Sequence, residues 1–204
     1  DGGLQSEVIA YRVLELETVT RDSLRLNYVA NREAVLRPFT IYREPGKEVV
    51  IQPGNYEFDE QEIGFNTGGQ REFSGGLSYR TGDFYNGERQ NMNASFAWNQ
   101  SRYFRATVQV DWNSIELPQG DFITRLSSVN TQVAFTPELY WITLAQYDNI
   151  SEEIGINTRL QWIPKAGQEA LFVLNHNMQD QDRDNRFDTA RSDLSLRLRY
   201  TFRF

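Results

Sequence analysis

Cysteine is absent from the 204 residues of the chain, and histidine occurs only once. The chain therefore has no disulfide framework and no thiolate metal site. No apolar run approaches the roughly 20 residues that a membrane-spanning helix requires, which excludes a helical membrane protein. The formal net charge of −7 argues against a nucleic-acid-binding surface. What remains is a polar chain in which 13% of the residues are aromatic.

The strongest pattern is a strict alternation at the end of the sequence. From Leu194 to Phe204, leucines and aromatic residues occupy every even position, while serine, arginine and threonine occupy the odd ones. A β-strand alternates its side chains between two faces, so this segment has one apolar face and one polar, mostly cationic face. Leucines followed by three aromatic residues are typical of a lipid-facing strand that ends at a membrane interface. The pattern predicts the closing strand of a transmembrane β-barrel.

Similar alternation recurs along the chain and indicates about twelve strands, most clearly in residues 88–112 and 153–162. We therefore predict an all-β, antiparallel, up-and-down transmembrane β-barrel, with residues 1–204 as one domain. The residues predicted to face the lumen are Arg105, Asp111, Arg159, Arg197, Arg199 and Arg203. The aromatic residues predicted at the membrane interface are Trp98, Trp112, Trp141, Trp162, Tyr200, Phe202 and Phe204.

The connections between the predicted strands alternate in length. Short turns are predicted at 30–33, 66–70, 99–102, 136–139 and 163–168, and other connections at 43–54, 85–88, 113–121, 148–153 and 179–191. Short periplasmic turns and longer external loops are typical of bacterial outer-membrane barrels. In the connection 85–88, Asn86-Gly87 predicts a type I′ hairpin turn with positive φ at both residues.

The predicted inward arginines have two interpretations. They would make part of the lumen wall positive, and rings of charge set ion selectivity in pores. Alternatively, they pair with acidic residues such as Asp111, Asp193 or Glu169 and fill a narrow barrel.

His176 is the basis of one alternative function. Outer-membrane phospholipases use a serine–histidine pair on the outer wall of a barrel, and here Ser192 follows His176 across a predicted loop. An outer-membrane hydrolase would use His176 or a loop carboxylate from Glu152-Glu153 or Asp59-Glu60. No serine motif accompanies the histidine, so a polar residue at an interface or in a lumen is the simpler interpretation.

Asp180, Asp182 and Asp184 form the only candidate calcium site, because an EF-hand loop begins with this spacing. The sixth position from Asp180 is Asn185 instead of glycine, and the twelfth is Arg191 instead of glutamate. We therefore interpret the run as a solvated external loop, with weak binding of divalent cations, including those that bridge lipopolysaccharide, as the alternative, and predict no cofactor. A soluble β-sandwich binding module is the remaining alternative, since its strands also alternate, but tight hairpins and arginines deep inside strands favour the barrel.

Several segments also resemble a family of bacterial outer-membrane β-barrel proteins that carry a family-9-type carbohydrate-binding domain ahead of the barrel. The resembling segments occur in the same order from about residue 50 onwards: Ile51–Phe58, Gly82–Gly87, Leu117–Phe122, Leu160–Pro164 and Arg199–Phe204. The resemblance implies export to the outer membrane, contact with the lipid bilayer and lipopolysaccharide, and a C-terminal strand read by the barrel-assembly machinery. The expected function is a passive channel or membrane scaffold with a link to glycan handling. Family barrels are longer, so residues 1–204 are expected to be a C-terminal fragment or one part of a larger barrel.

Overall fold

The structure is a computed structural model that describes residues 6–201, and these residues form thirteen strands and no helix. The strands are β1 (Ser6–Glu17), β2 (Ser23–Val35), β3 (Phe39–Glu44), β4 (Lys47–Ile51), β5 (Gly54–Asn66), β6 (Phe73–Phe84), β7 (Gly87–Ser101), β8 (Phe104–Glu116), β9 (Phe122–Thr136), β10 (Leu139–Asp148), β11 (Glu153–Lys165), β12 (Gln168–Gln179) and β13 (Asp188–Tyr200). Within this described part of the chain, no helix is long and apolar enough to cross a membrane.

Eleven of the strands form one sheet, and β3 and β4 form a separate two-stranded sheet. The order in the large sheet is the order along the chain, from β1 and β2 directly to β5 and then on to β13. This confirms the predicted all-β, antiparallel, up-and-down fold. Among the described residues, β1 and β13 are the first and last strands of this order.

Contacts divide the chain into two compact units. Unit 1 contains Asp1–Gly68, Gly75–Ala94 and Asp111–Thr124, and unit 2 contains Gly69–Ser74, Ser95–Val110 and Arg125–Phe204.

In unit 2, cross-strand pairing sorts the side chains of β9 to β13 into an apolar face and a polar face. One row of successive partners runs through Val133, Trp141, Leu160, Phe172 and Leu196. The next row on the same face runs through Thr131, Thr143, Thr158, Leu174 and Leu194. Residues directly opposite each other point to the same side of a sheet, so the alternation of each strand combines into a continuous apolar surface.

In unit 1, the small sheet of β3 and β4 supplies the most deeply buried side chains. Val49 and Ile51 of β4 are 0% exposed, and Tyr42 of β3, which pairs with Val49, is 8% exposed. The two strands are joined by Pro45-Gly46, where Gly46 has a φ of 80°. Proline followed by a residue with positive φ is typical of a type II turn, so these two residues form a tight hairpin. We call residues 39–51 the β3–β4 hairpin.

Three local predictions are wrong. The predicted turn at 30–33 lies inside β2, which continues to Val35, and the turn before β2 lies at 18–22 instead. The predicted loop 43–54 contains most of the β3–β4 hairpin, because Pro45-Gly46 reverses the chain between two strands. The remaining short turns, near 67–72, 102–103, 137–138 and 166–167, lie where alternation predicts them.

The third wrong prediction concerns the turn between β6 and β7. Its central residues are Tyr85 and Asn86, and only Tyr85 has a positive φ, at 53°. Gly87 instead begins β7, and a Cβ atom at this position would lie 2.0 Å from the carbonyl oxygen of Glu116. The glycine is needed for the close approach of another backbone and not for the turn.

Candidate functional site

The polar face of unit 2 carries the predicted arginines in adjacent rows. Arg159 pairs with Val173, and Arg197 pairs with Leu171, so both lie on the side opposite to the leucines of β13. Arg199 lies opposite Glu169, with 3.6 Å between Nη1 and Oε2. This is one of the acidic partners that the sequence suggested for the arginine row.

The arginines of this face differ in whether a carboxylate lies close enough to neutralise them. Glu169 also accepts a hydrogen bond from Gln161 Nε2 at 2.7 Å, which fixes the carboxylate that faces Arg199. In contrast, Arg159 and Arg197 have no carboxylate within ion-pair distance among residues 6–201. The structure therefore leaves two guanidinium groups available on this face, while Arg203 lies outside the described residues.

A recess of about 280 Å³ opens on the same polar face of unit 2. Its walls include Gln132 and Ile142, which belong to the row of Arg159. Arg105 and Arg102 also line it, and none of its lining residues is an aspartate or a glutamate. The recess is therefore an electropositive depression with mixed polar and apolar walls.

The polar face of unit 1 is dominated by ion pairs between strands. Glu60 is 2% exposed and accepts a hydrogen bond from Arg89 Nε at 2.8 Å. The Arg89 guanidinium also lies 4.4 Å from the centroid of the Phe84 ring. Two residues along β5, Glu62 accepts a hydrogen bond from Arg80 Nε at 2.9 Å. Charges on this part of the face are neutralised in pairs.

Asp111, another predicted lumen residue, belongs to a hydrogen-bonding network with asparagine and threonine side chains in unit 1. Asn113 donates its side-chain amide to Asp111 Oδ1 at 2.6 Å and to Thr124 Oγ1 at 3.1 Å. Asn91 donates to Asn113 Oδ1 at 2.8 Å. The sequence correctly separates Asp111 from the apolar residues of β8, but it does not reveal these partners.

In unit 1, the β3–β4 hairpin packs against Phe122 and the loop that precedes it. Tyr42 stacks on Phe122 with 4.5 Å between ring centroids, and Phe122 is 6% exposed. Lys47 Nζ donates a hydrogen bond to the backbone carbonyl of Asp121. A Cβ atom on Gly120 would lie 3.2 Å from Val49 Cγ2, so the hairpin and this loop are in direct contact.

Tyr85, in the turn between β6 and β7, lies at the centre of a cluster of aromatic rings in unit 1. Its hydroxyl donates to Glu33 Oε2 at 3.0 Å, and its ring contacts Tyr56, Phe58 and Phe39 at centroid distances of 5.1, 5.3 and 6.0 Å. Burial, and then the hydrogen bond to Glu33, raise the pKa of Tyr85 to about 12. Both causes disfavour the tyrosinate form.

The predicted interface aromatic residues lie on strands at positions that alternate with polar residues. Trp141 stacks with Phe135 at 6.4 Å and donates from Nε1 to Thr158 Oγ1 at 2.7 Å. Trp98 stacks with Phe73 at 6.1 Å and donates to Glu72 Oε1 at 3.2 Å. The other described members are Trp112, Trp162 and Tyr200, whereas Phe202 and Phe204 lie outside the described residues.

His176 and Ser192 are brought together by the fold. They are direct cross-strand partners on the apolar face of β12 and β13, and the partner of His176 on β11 is Ile156. The row continues through Ala145 and Val129, so no carboxylate or amide stands in it to orient the imidazole. The arrangement brings a serine to a histidine without the third group of a triad.

The other candidate catalytic and metal-binding carboxylates are occupied locally. Asp180 accepts backbone N–H groups from Asp184 and Asn185 at 3.1 and 2.7 Å, which shapes the loop after β12. No group of three or more histidine, aspartate or glutamate residues within 6–201 is placed to hold a metal ion. Adjacent residues of a strand face opposite sides, so Asp59 and Glu60 of β5 do not flank a common substrate position. Glu152 accepts the Tyr147 hydroxyl at 3.0 Å.

Two features of the site were not predicted. The β3–β4 hairpin was missed because Pro45-Gly46 inside it and Pro53-Gly54 after it look like loop residues. The Glu60–Arg89 pair joins residues 29 apart in sequence. Alternation of Glu60 and Glu62 was a usable signal that one face of β5 needs cationic partners, but it does not identify them.

The comparisons with known proteins add no family to these observations. No protein-family model, no curated protein and no solved structure matches the chain.

Proposed function

We propose that this chain forms part of an integral outer-membrane β-barrel that acts as a passive channel or membrane scaffold. The observation that carries the proposal is the exposure of the apolar face of β13. Leu194, Leu196 and Leu198 are 65%, 67% and 73% exposed, although they alternate with serine and arginine in one regular strand. Full burial of a leucine side chain stabilises a protein by about 1.5–3 kcal/mol, so water is an unfavourable environment for this row.

The apolar surface extends beyond the edge strand. On the same face of unit 2, Phe135, Trp141, Trp162 and Phe172 are 52%, 46%, 51% and 38% exposed. Contiguous exposed apolar patches mark sites that contact another protein, a ligand or a membrane. The opposite face carries the arginine, asparagine and glutamine side chains, together with Ile142, Leu171 and Val173. All the charged groups of these rows lie on this side, which is the division expected between a lipid-facing and a lumen-facing wall.

Strand length and aromatic placement support lipid as the neighbour of this face. Strands β10 to β13 contain 10, 13, 12 and 13 residues, enough for the roughly 9–11 residues of a tilted spanning strand. Ile154 precedes Trp162 by eight residues, which corresponds to about 26 Å along β11. Strands of such barrels tilt by about 35–45°, so this length spans about 20 Å of membrane depth, most of the roughly 25 Å apolar band.

Three polar groups near the centre of the apolar face are satisfied by one another. The Thr158 hydroxyl lies 2.7 Å from both Trp141 Nε1 and the Thr143 hydroxyl. An unpaired polar group costs several kcal/mol in hydrocarbon, but water would satisfy it at no such cost. Internal pairing at the centre of this face therefore favours a dry environment.

The soluble β-sandwich alternative needs a second sheet over the apolar face. The second sheet of the described residues contains only β3 and β4, and it belongs to unit 1. The apolar face of β9 to β13 in unit 2 thus has no protein layer of its own to cover it. This favours a lipid-facing wall over a sandwich half.

The proposal also requires further strand pairing. Open sheet edges are not tolerated in hydrocarbon, so the outer edges of β1 and β13 must be paired in a membrane. Bacterial outer-membrane barrels contain even numbers of strands, and the large sheet has eleven. We therefore infer that the closed sheet contains strands beyond those described, as expected for one part of a larger barrel.

Location and partners are part of the same proposal. A strand-built spanning wall is typical of the bacterial outer membrane, where it contacts the lipid bilayer and lipopolysaccharide. We further propose that the C-terminal strand is read by the barrel-assembly machinery, and that the channel or scaffold is linked to glycan handling, as the family resemblance implies. Hydrolysis by His176 stays a prediction from sequence, because its row contains no orienting group.

A pair of adjacent arginine substitutions tests the lipid-facing assignment. Leu194→Arg places a cation at the middle of the apolar face, and Ser195→Arg places the same side chain on the polar face of the same strand. At bilayer midplane depth, arginine on a lipid-facing position costs about 2–4 kcal/mol. The equilibrium constant for folding into lipid vesicles, measured after dilution from urea, is then expected to fall about thirtyfold or more for L194R and not for S195R.

Two outcomes would overturn the proposal. If L194R and S195R insert equally well into vesicles, residue 194 does not face hydrocarbon. If the unmodified chain stays folded and monodisperse in buffer without detergent, the apolar face does not need lipid. Circular dichroism and native sedimentation in buffer and in detergent distinguish these results from a general folding defect.

A further inference from the structure

We propose that the recess beside Arg105 in unit 2 binds a small carboxylate that carries an apolar or aromatic group. Its role as a solute site rests on the proposed channel function, whereas the chemistry of the recess does not. The recess has a volume of about 280 Å³, near the lower end of small-molecule pockets, so it suits a ligand with a single ring and not a polymer.

The charge of the recess indicates the ligand's charge. Arg105 is exposed, and no carboxylate of the described residues lies within ion-pair distance of it. Since no acidic residue lines the recess, its guanidinium groups have no internal counter-ion. An arginine presents a planar fork of N–H donors that matches a carboxylate in bidentate geometry, which makes an organic acid the matching ligand.

A second arginine at the recess is held in place before any ligand arrives. The Arg102 guanidinium lies 4.7 Å from the centroid of the Tyr103 ring and donates a hydrogen bond to the Tyr103 hydroxyl. The Tyr103 backbone N–H in turn donates to Ser101 Oγ at 3.1 Å. The backbone of Tyr103 also pairs with β9, because its carbonyl accepts the N–H of Ala134 at 2.7 Å. A charge held this way loses little conformational freedom on binding.

The walls indicate that the ligand is not a bare inorganic anion. Tyr103 and Tyr140 line the recess and are 45% and 36% exposed, and Ala134 and Ile142 add apolar surface. Aromatic and apolar walls bind a ring by burying its surface. Inorganic phosphate would gain nothing from them, so the combination favours an aromatic carboxylate over phosphate.

Benzoate and its uncharged isostere benzamide, with inorganic phosphate as a third probe, test the assignment. Binding to the detergent-solubilised full chain is measured by isothermal titration calorimetry or by chemical shifts of the ligand. We expect benzoate to bind at least tenfold more tightly than benzamide or phosphate, because hydrogen bonds to a charged group contribute about 1.5–3 kcal/mol.

Arg105→Gln and Arg159→Gln form a matched pair of variants. Both arginines lack a carboxylate partner among the described residues, but only Arg105 lines the recess. R105Q is expected to weaken benzoate binding about tenfold or more, R105K to weaken it less, and R159Q to leave it within about twofold. Neither arginine side chain takes part in a described hydrogen bond, so both variants should keep the far-ultraviolet spectrum of the unmodified chain.

The proposal is wrong if benzoate and benzamide bind equally, if phosphate competes with benzoate at equal concentration, or if R105Q and R159Q lose the same affinity. Because binding is measured in detergent, it does not depend on vesicle insertion. A chain that fails the L194R test can still bind benzoate through Arg105, and a chain that passes it can fail to bind. The two proposals therefore fail by different measurements.

Discussion

Docking of the β3–β4 hairpin depends on a few buried side chains, and Val49→Ala tests this directly. Val49 is 0% exposed, pairs with the buried Tyr42 and contacts the loop at Gly120. The substitution removes two methyl groups, each worth about 0.8 kcal/mol in transfer free energy. The cavity that remains adds of order 1 kcal/mol, so the docked hairpin should lose about 2.5 kcal/mol.

Val50→Ala is the matched control. Val50 is the next residue of the same strand, pairs with Thr40 on the other side of the hairpin and is partly exposed. The same two methyl groups are removed, but they are partly in water already, so the expected loss is below about 1 kcal/mol. The two variants therefore differ in burial and not in chemistry.

Amide hydrogen exchange of residues 39–51 measures the docking equilibrium. If the hairpin opens as a local unit, 2.5 kcal/mol corresponds to exchange that is about fifty- to a hundredfold faster in V49A, against less than about fivefold in V50A. Amides of β10 to β12 in unit 2 should keep their rates. Equal acceleration in the two variants, or no acceleration in V49A, would refute the argument that burial of Val49 holds the hairpin down.

Two further predictions concern backbone packing and pH in unit 1. Gly87→Ala should destabilise the protein by about 1–3 kcal/mol in urea unfolding, because its Cβ atom would lie 2.0 Å from a backbone oxygen. Gly69→Ala is the control, since its Cβ atom would meet no atom within 4 Å and should cause no such loss. Equal urea midpoints for the two variants would contradict the close backbone approach at Gly87. The pKa of Tyr85 is raised to about 12 from an ordinary value of 10.0, so the folded state holds this proton more tightly than the unfolded state. The stability that follows is present below pH 10 and is lost as the pH rises towards about 12, and Tyr85→Phe should remove this late step from a spectrophotometric tyrosine titration.

Alternation in the sequence was sufficient to identify most strands and their two faces. The period of two in residues 194–200 and 153–162 predicts which side chains share a side, and the structure has them in continuous rows. This works because side-chain direction in a strand depends only on local backbone geometry. The same locality explains why the polar position of Arg159, Arg197 and Arg199 was predictable.

The errors occurred where local signals have two meanings. Pro45-Gly46 is compatible with a loop or with a tight hairpin turn, and the buried Val49 and Ile51 decide for the hairpin. Gly87 is compatible with positive φ or with close backbone approach, and the position of Glu116 decides for the second. In each case the deciding contact is made by a residue that the local pattern does not include.

The candidate site has the same division. Residue types along single strands were enough to separate a charged face from an apolar face, because that separation needs only the two-residue period. Which charges neutralise each other depends on register and on which strands are neighbours, so Arg89 with Glu60, and Arg199 with Glu169, emerge only after the chain is folded. The electropositive recess also depends on which strands are neighbours. The sequence shows Arg105 as a polar strand residue, but only the assembled sheet shows that no described acidic residue lines the recess beside it.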